Sequence, residues 1–136
     1  MTRQELIDKA VGLRRSGHPL EAAFVLERLL VAHPDTQDDP AVWRALGLAY
    51  EQAADEDPRC GTFRCNRQAL MALHRYVALE PEKAKRKAAK RRIGTVRYEM
   101  VLAEGGLTIA VGLIMGLITL LDRVLLREKL KEGRAS

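Results

Sequence analysis

Two cysteines, Cys60 and Cys65, stand as C-x4-C within "ADEDPRCGTFRC". With His18, His33 and His74 they are the side chains best suited to metal or redox chemistry. A structural zinc site takes four N or S ligands, and no spacing brings His33 or His74 to the cysteines. Two thiols at this separation can be oxidised to a disulfide, which a reducing cytosol disfavours. The pair therefore reads as two ordinary thiols in a loop. No histidine has a base, nucleophile or carboxylate at an informative spacing. Gly-rich phosphate loops, H-E-x-x-H and G-x-S-x-G are absent from the sequence. The expectation is a chain that is not an enzyme and carries neither cofactor nor metal.

Charge points to location instead. The formal net charge of +5 is unevenly placed. Residues 1–82 hold 10 Lys/Arg against 13 Asp/Glu, residues 83–104 hold 8 against 2, and residues 105–136 hold 5 against 3. A mildly acidic N-terminal part thus meets a basic collar. Nucleic-acid binders spread cations over a docking face and add stacking aromatics, whereas this collar contains only Tyr98. No nucleic-acid partner is expected. The collar residues Lys85, Arg86, Lys87, Lys90, Arg91 and Arg92 suit anionic lipid head groups. "MTRQELIDKAVGLRRSG" has no apolar signal core, so the N-terminal part is expected in the cytosol.

The elements that carry these residues read as helices. Leu6, Ala10 and Leu13 share one face of a first helix, and Ala22, Leu26, Leu29 and Leu30 mark a second. Between them Gly17 supplies a turn and Pro19 opens the next helix. Pro34 and Pro40 bracket an acidic linker, with Asp38 or Asp39 as N-cap of a third helix. That helix spells W-x2-L-G-x2-Y with Trp43, Leu46, Gly47 and Tyr50. A fourth contributes Ala69, Leu73, Tyr76 and a closing Pro81.

This pattern resembles the tetratricopeptide repeat (TPR) over residues 3–82, well in the second hairpin and loosely in the first. The resemblance implies large rings between antiparallel helices and a glycine at their close approach. One departure is the spacing from Tyr50 to Ala69, nineteen residues where the family has nine. The extra residues read as a longer loop holding both cysteines. The resemblance also implies a groove lined by the first helix of each pair, here Ile7, Val11, Arg14, Arg44, Leu48 and Glu51. Leu48 occupies the place of a polar residue in modules that clamp a terminal carboxylate, which argues against that ligand. Past Pro81, Ala84, Ala88 and Ile93 would cover the last apolar face while the lysines stay wet.

Residues 105–121, "GGLTIAVGLIMGLITLL", carry no charge. As helix that is about 26 Å, against a hydrocarbon core of about 30 Å, and the apolar character extends over 100–126. Such a run, apolar on every face, exceeds what a domain of this size wraps. At about 100° per residue, Gly105, Thr108, Gly112, Met115, Gly116 and Thr119 fall within about a third of the circumference. This stripe suits close packing on another helix, and the remaining arc suits lipid tails. Glu104 and Asp122 lie on the stripe too. They pair with cations of a neighbouring chain or mark the two interfaces.

The predicted fold is all-α: two TPR-like hairpins (1–82), a basic capping helix (83–99), a single transmembrane helix (100–126) and a short polar tail (127–136). The order of parts resembles that of Fis1-type tail-anchored adaptors. It implies a single-pass membrane protein with a cytosolic N-terminal domain, serving as adaptor or accessory subunit of a membrane complex. Its expected partners are membrane subunits through the stripe, a cytosolic protein or peptide through the groove, and anionic lipids. Two alternatives stand beside it: a self-assembling, pore-like homo-oligomer, and a soluble assembly that buries the apolar helix in a shared core.

Overall fold

In a computed structural model the backbone is described for residues 1–102 and 106–135, and the side chains for 1–102 and 110–134. The described residues are helical and contain no strand. Six α-helices follow one another: α1 (Arg3–Arg15), α2 (Pro19–Ala32), α3 (Pro40–Glu56), α4 (Thr62–Leu79), α5 (Lys83–Met100) and α6 (Gly106–Ala135). Two compact units result, Met1–Met100 and Val101–Ser136.

Local chemistry sets the helix ends. Thr2 and Glu5 form a capping box at α1, with the Glu5 N–H donating to Thr2 Oγ1 (3.2 Å) and the Thr2 N–H to Glu5 Oε2 (2.8 Å). After α1, Gly17 takes φ +83°, a left-handed conformation that favours glycine. The His18 N–H then reaches the Leu13 carbonyl at 2.9 Å. Pro19 and Pro40 start α2 and α3, where a missing N–H costs nothing. Of the two candidate caps it is Asp39 that accepts from the Ala41 N–H, at 2.9 Å. The acidic linker is a 3₁₀ turn, Pro34–Asp38, pinned by fully buried Thr36 and by the Trp43 indole N–H on the Gln37 carbonyl (2.7 Å).

Each helix packs on the next, α1 on α2, α2 on α3, α3 on α4 and α4 on α5. Small residues let them approach: Ala22, Ala23, Ala49, Ala53, Ala69 and Ala72 are all buried. Between them Leu26, Leu29, Leu46 and Leu73 fill the core, and the Tyr50 hydroxyl crosses from α3 to donate to Glu27 on α2. Among the described glycines Gly47 is the most crowded. A Cβ there would lie 2.9 Å from both Cγ and Cδ2 of Leu73.

Two expectations need correction. The extra residues between Tyr50 and Ala69 do not form a long loop. α3 runs on to Glu56 and α4 begins at Thr62, so most of the insertion lengthens the two helices. The capping face of α5 is Ala89, Ile93 and Val96, and Ala84 and Ala88 are exposed. The spacing i, i+4, i+7 carries three apolar residues on that stripe, while the row through Ala84 and Ala88 continues to arginine. The span expected over 100–126 falls partly outside the described residues. α5 ends at Met100 and α6 starts at Gly106, with 103–105 outside the described residues. Among the described residues no helix is long and apolar enough to cross a membrane.

Two glycine substitutions test the packing. Gly47→Val overpacks the α3–α4 contact and is expected to cost about 1–3 kcal/mol. Gly12→Ala, on an α1 surface with nothing within 4 Å, is expected to gain up to about 1 kcal/mol from helix propensity. Denaturant melts of the two variants beside the wild type check both signs.

Candidate functional site

α1, α3, α4 and α5 border a concavity of the Met1–Met100 unit. A cavity of about 140 Å³ has Leu48, Leu73, Tyr76 and Ala89 among its walls and Arg44, Lys85 and Arg92 around its mouth. A second, of about 250 Å³, adjoins it and is lined by Arg14, Leu48, Glu51, Gln52, Asp55 and Arg92. Leu48 and Arg92 border both, so the two form one trough. Arg92 donates through Nε to Glu51 Oε2 at 2.5 Å, joining α5 to α3 across it. The trough is thus apolar at its floor and mixed in charge at its edge. It can hold an apolar side chain with a carboxylate beside it, and Arg44 has no carboxylate of its own among the described residues.

Of the six groove residues read from the sequence, the structure brings together Arg14, Arg44, Leu48 and Glu51. Ile7 packs against the core beside Leu6 and Leu13, and Val11 is half-buried on α1 and lines neither cavity. Tyr76, Lys85 and Arg92 belong to the trough and were not foreseen there. The positions 85, 88 and 92, three and four apart on α5, are the signal that groups them on one face.

The collar divides accordingly. Lys85 pairs with Glu82 at 3.0 Å, Arg86 donates to the carbonyls of Glu80 and Pro81 (3.1 and 3.2 Å), and Arg92 holds Glu51. These three cations thus have partners within the fold, while Lys85 and Arg92 remain exposed to the surroundings as well. Lys87, Lys90 and Arg91 stand exposed. Burial, then neighbouring Glu80, raises the Tyr76 hydroxyl above its ordinary pKa. Tyr50 is raised by burial and by its bond to Glu27.

The cysteines differ from the expectation of separate thiols. Cys60 and Cys65 are bridged, with Cα atoms 5.8 Å apart, and both are buried. The turn between α3 and α4 brings them together. Asp57 accepts from the Arg59 N–H (2.9 Å) and guanidinium (2.8 Å), and the same guanidinium reaches Glu21 on α2 at 2.6 Å. Among the described residues no group of three or more His, Cys, Asp or Glu side chains is placed to hold a metal.

On α6 the backbone sets Gly112, Met115, Gly116 and Thr119 on one face, all exposed. A Cβ at Gly112 or Gly116 would meet nothing within 4 Å. Thr119 Oγ1 donates to the Met115 carbonyl at 2.9 Å, which satisfies the hydroxyl within the helix. The side chain of Thr108, together with Gly105 and Glu104, lies outside the described residues. No family model, curated protein or solved structure matches the chain.

Arg59 gives the domain an acid limb. Its hydrogen bonds hold Glu21 and Asp57 below the usual carboxylate range. Folded-state pKa values below those of the unfolded chain mean the stabilisation is present above about pH 4 and lost as pH falls through them. The melting temperature is expected to drop from pH 5 toward pH 2 (roughly the window in which such carboxylates protonate), and less steeply in Arg59→Gln. Reducing the Cys60–Cys65 bridge, which closes a ring of about six residues, is expected to cost about 2 kcal/mol. Melts with and without reductant, set against Cys60→Ser/Cys65→Ser, measure it.

Proposed function

We propose that the chain is a non-enzymatic adaptor or accessory subunit of a membrane complex, built as a TPR-like hairpin module with a membrane-associated C-terminal helix. One observation carries this reading: every described side chain from Ala110 to Arg134 is exposed. Leu113 at 70% and Leu117 at 62% are typical of the apolar ones. Apolar surface of that extent needs a cover outside the chain's own core. Acyl chains supply one for the uncharged run 105–121, with Gly112, Gly116 and Thr119 packing on a helix of another subunit.

In this reading the trough takes a cytosolic peptide with an apolar residue for the Leu48 and Leu73 floor and a carboxylate for Arg44. Exposed Lys87, Lys90 and Arg91 lie against anionic head groups, and the excess of Lys/Arg before the run sets the N-terminal module on the cytosolic side.

Two other readings have support of their own. The open faces at Gly112 and Gly116 suit identical helices equally well, which favours a homo-oligomer. Asp122 and Arg123, which end the described apolar run at Leu121, favour a soluble assembly that buries α6 in a shared protein core.

Three measurements separate them. Full-length chain in the membrane pellet after high-speed centrifugation, released only by detergent, supports the adaptor; chain in the supernatant sinks it and favours the soluble assembly. Size in detergent tells a ring of the purified chain from a monomer that co-purifies with other subunits. Gly112→Ile with Gly116→Ile is expected to abolish co-purification while leaving the chain in the pellet, and Leu48→Asp to remove the cytosolic partner alone.

A further inference from the structure

The outer faces of α2 and α4 carry apolar side chains that the core does not use. Within residues 1–100 the exposed large apolar residues are Met1, Phe24, Val31, Phe63, Met71 and Tyr98. Four of these six occupy this one face, including both phenylalanines of the chain. Their order repeats. On α2, Phe24, Arg28 and Val31 follow at i, i+4, i+7; on α4, Phe63, Arg67 and Met71 follow at i, i+4, i+8. Each helix thus presents apolar, arginine, apolar along the side opposite its core stripe.

The two stripes are joined. One depression runs beside Phe24 and Val31, and a second, of about 280 Å³, passes from Phe24 over Tyr50 and Cys60 to Arg64. A third, of about 450 Å³, continues from Arg64 to Phe63, Arg67 and Met71. Charge along this strip is one-sided. Among the described residues Arg28, Arg64 and Arg67 ion-pair with no carboxylate. The carboxylate on the strip, Glu27, is occupied by the Tyr50 hydroxyl, and Arg59 is held by Asp57 and Glu21.

We propose that the α2–α4 face docks an acidic amphipathic helix of another protein, its apolar side chains seated between Phe24, Val31, Phe63 and Met71 and its carboxylates on Arg28, Arg64 and Arg67. Aromatic residues, methionine and arginine are what protein interfaces concentrate at their centres. Guanidinium forks pair with carboxylates in two-point geometry. An unbranched methionine adapts to the apolar side chain it meets. Depressions of this size take inserted side chains, as when a helix lies in a groove, whereas a bilayer surface favours residues that project into it. The site is separate from the α1–α3–α5 trough and does not depend on what that trough binds.

The test uses the full chain in mild detergent and two stapled amphipathic peptides with the same leucine face, one flanked by glutamates and its twin by lysines. Fluorescence anisotropy is expected to show the acidic peptide binding about tenfold or more tightly than the basic one, weakening with salt. Phe24→Gln and Phe63→Gln, both at partly exposed positions, are each expected to weaken it about tenfold. Arg64→Glu with Arg67→Glu is expected to invert the preference between the peptides, measured in a Leu48→Asp background so that the trough does not contribute. Equal binding of the two peptides, no response to the arginine reversal, or no binding at millimolar peptide overturns the proposal. So does protection of α2 and α4 from hydrogen exchange by phosphatidylserine bicelles over phosphatidylcholine ones, which would assign the face to lipid.

Discussion

α3 and α4 approach each other closely at Gly47, where a Cβ would meet the Leu73 side chain at 2.9 Å. Alanines on both helices keep the axes near each other along the rest of the contact. Two surfaces follow from that one approach. On one side α5 lies against α4 and closes the trough through Arg92 and Glu51. On the other, α2 and α4 are brought level enough for Phe24 and Phe63 to border one continuous strip. A side chain at position 47 would press on Leu73 and strain both surfaces, which Arg92–Glu51 on one side and Tyr50–Glu27 on the other also help to hold.

The parts of this architecture written into short-range spacing were legible. Pro19 and Pro40 mark helix starts, Asp39 a cap and Gly17 a reversal, each through chemistry completed within a few residues. The Trp43, Leu46, Gly47, Tyr50 series placed the α3–α4 contact, since those residues share one helical face. What depended on distant partners was not. Arg92 finds Glu51 forty-one residues away, which no periodicity reports. Rotation of α5 by about one position, from Ala88 to Ala89, is decided by Ile93 and Val96 meeting α4. The outer strip also escaped, because Phe24 and Met71 fall off the core stripe and were not weighed as a face of their own. Repetition of apolar, arginine, apolar on alternate helices is the pattern that would have exposed it.

Charge in this chain is spent more on geometry than the sequence suggests. Of the six collar cations assigned to lipid, three hold the turn after α4 or the edge of the trough. Arg59 likewise ties α2 to the turn between α3 and α4. These are surface contacts of modest individual strength. Their effect lies in direction: each fixes where one helix ends relative to another, leaving Lys87, Lys90 and Arg91 on α5 to face whatever lies beyond.

The Cys60–Cys65 bridge has a consequence for topology. Both sulfurs lie beneath the turn, already at bonding separation, so the surrounding solution decides whether they are joined. Oxidising and reducing compartments lie on opposite sides of many membranes. The covalent state of this one pair, trapped by rapid alkylation in living cells, therefore serves as a chemical record of the compartment the hairpins occupy.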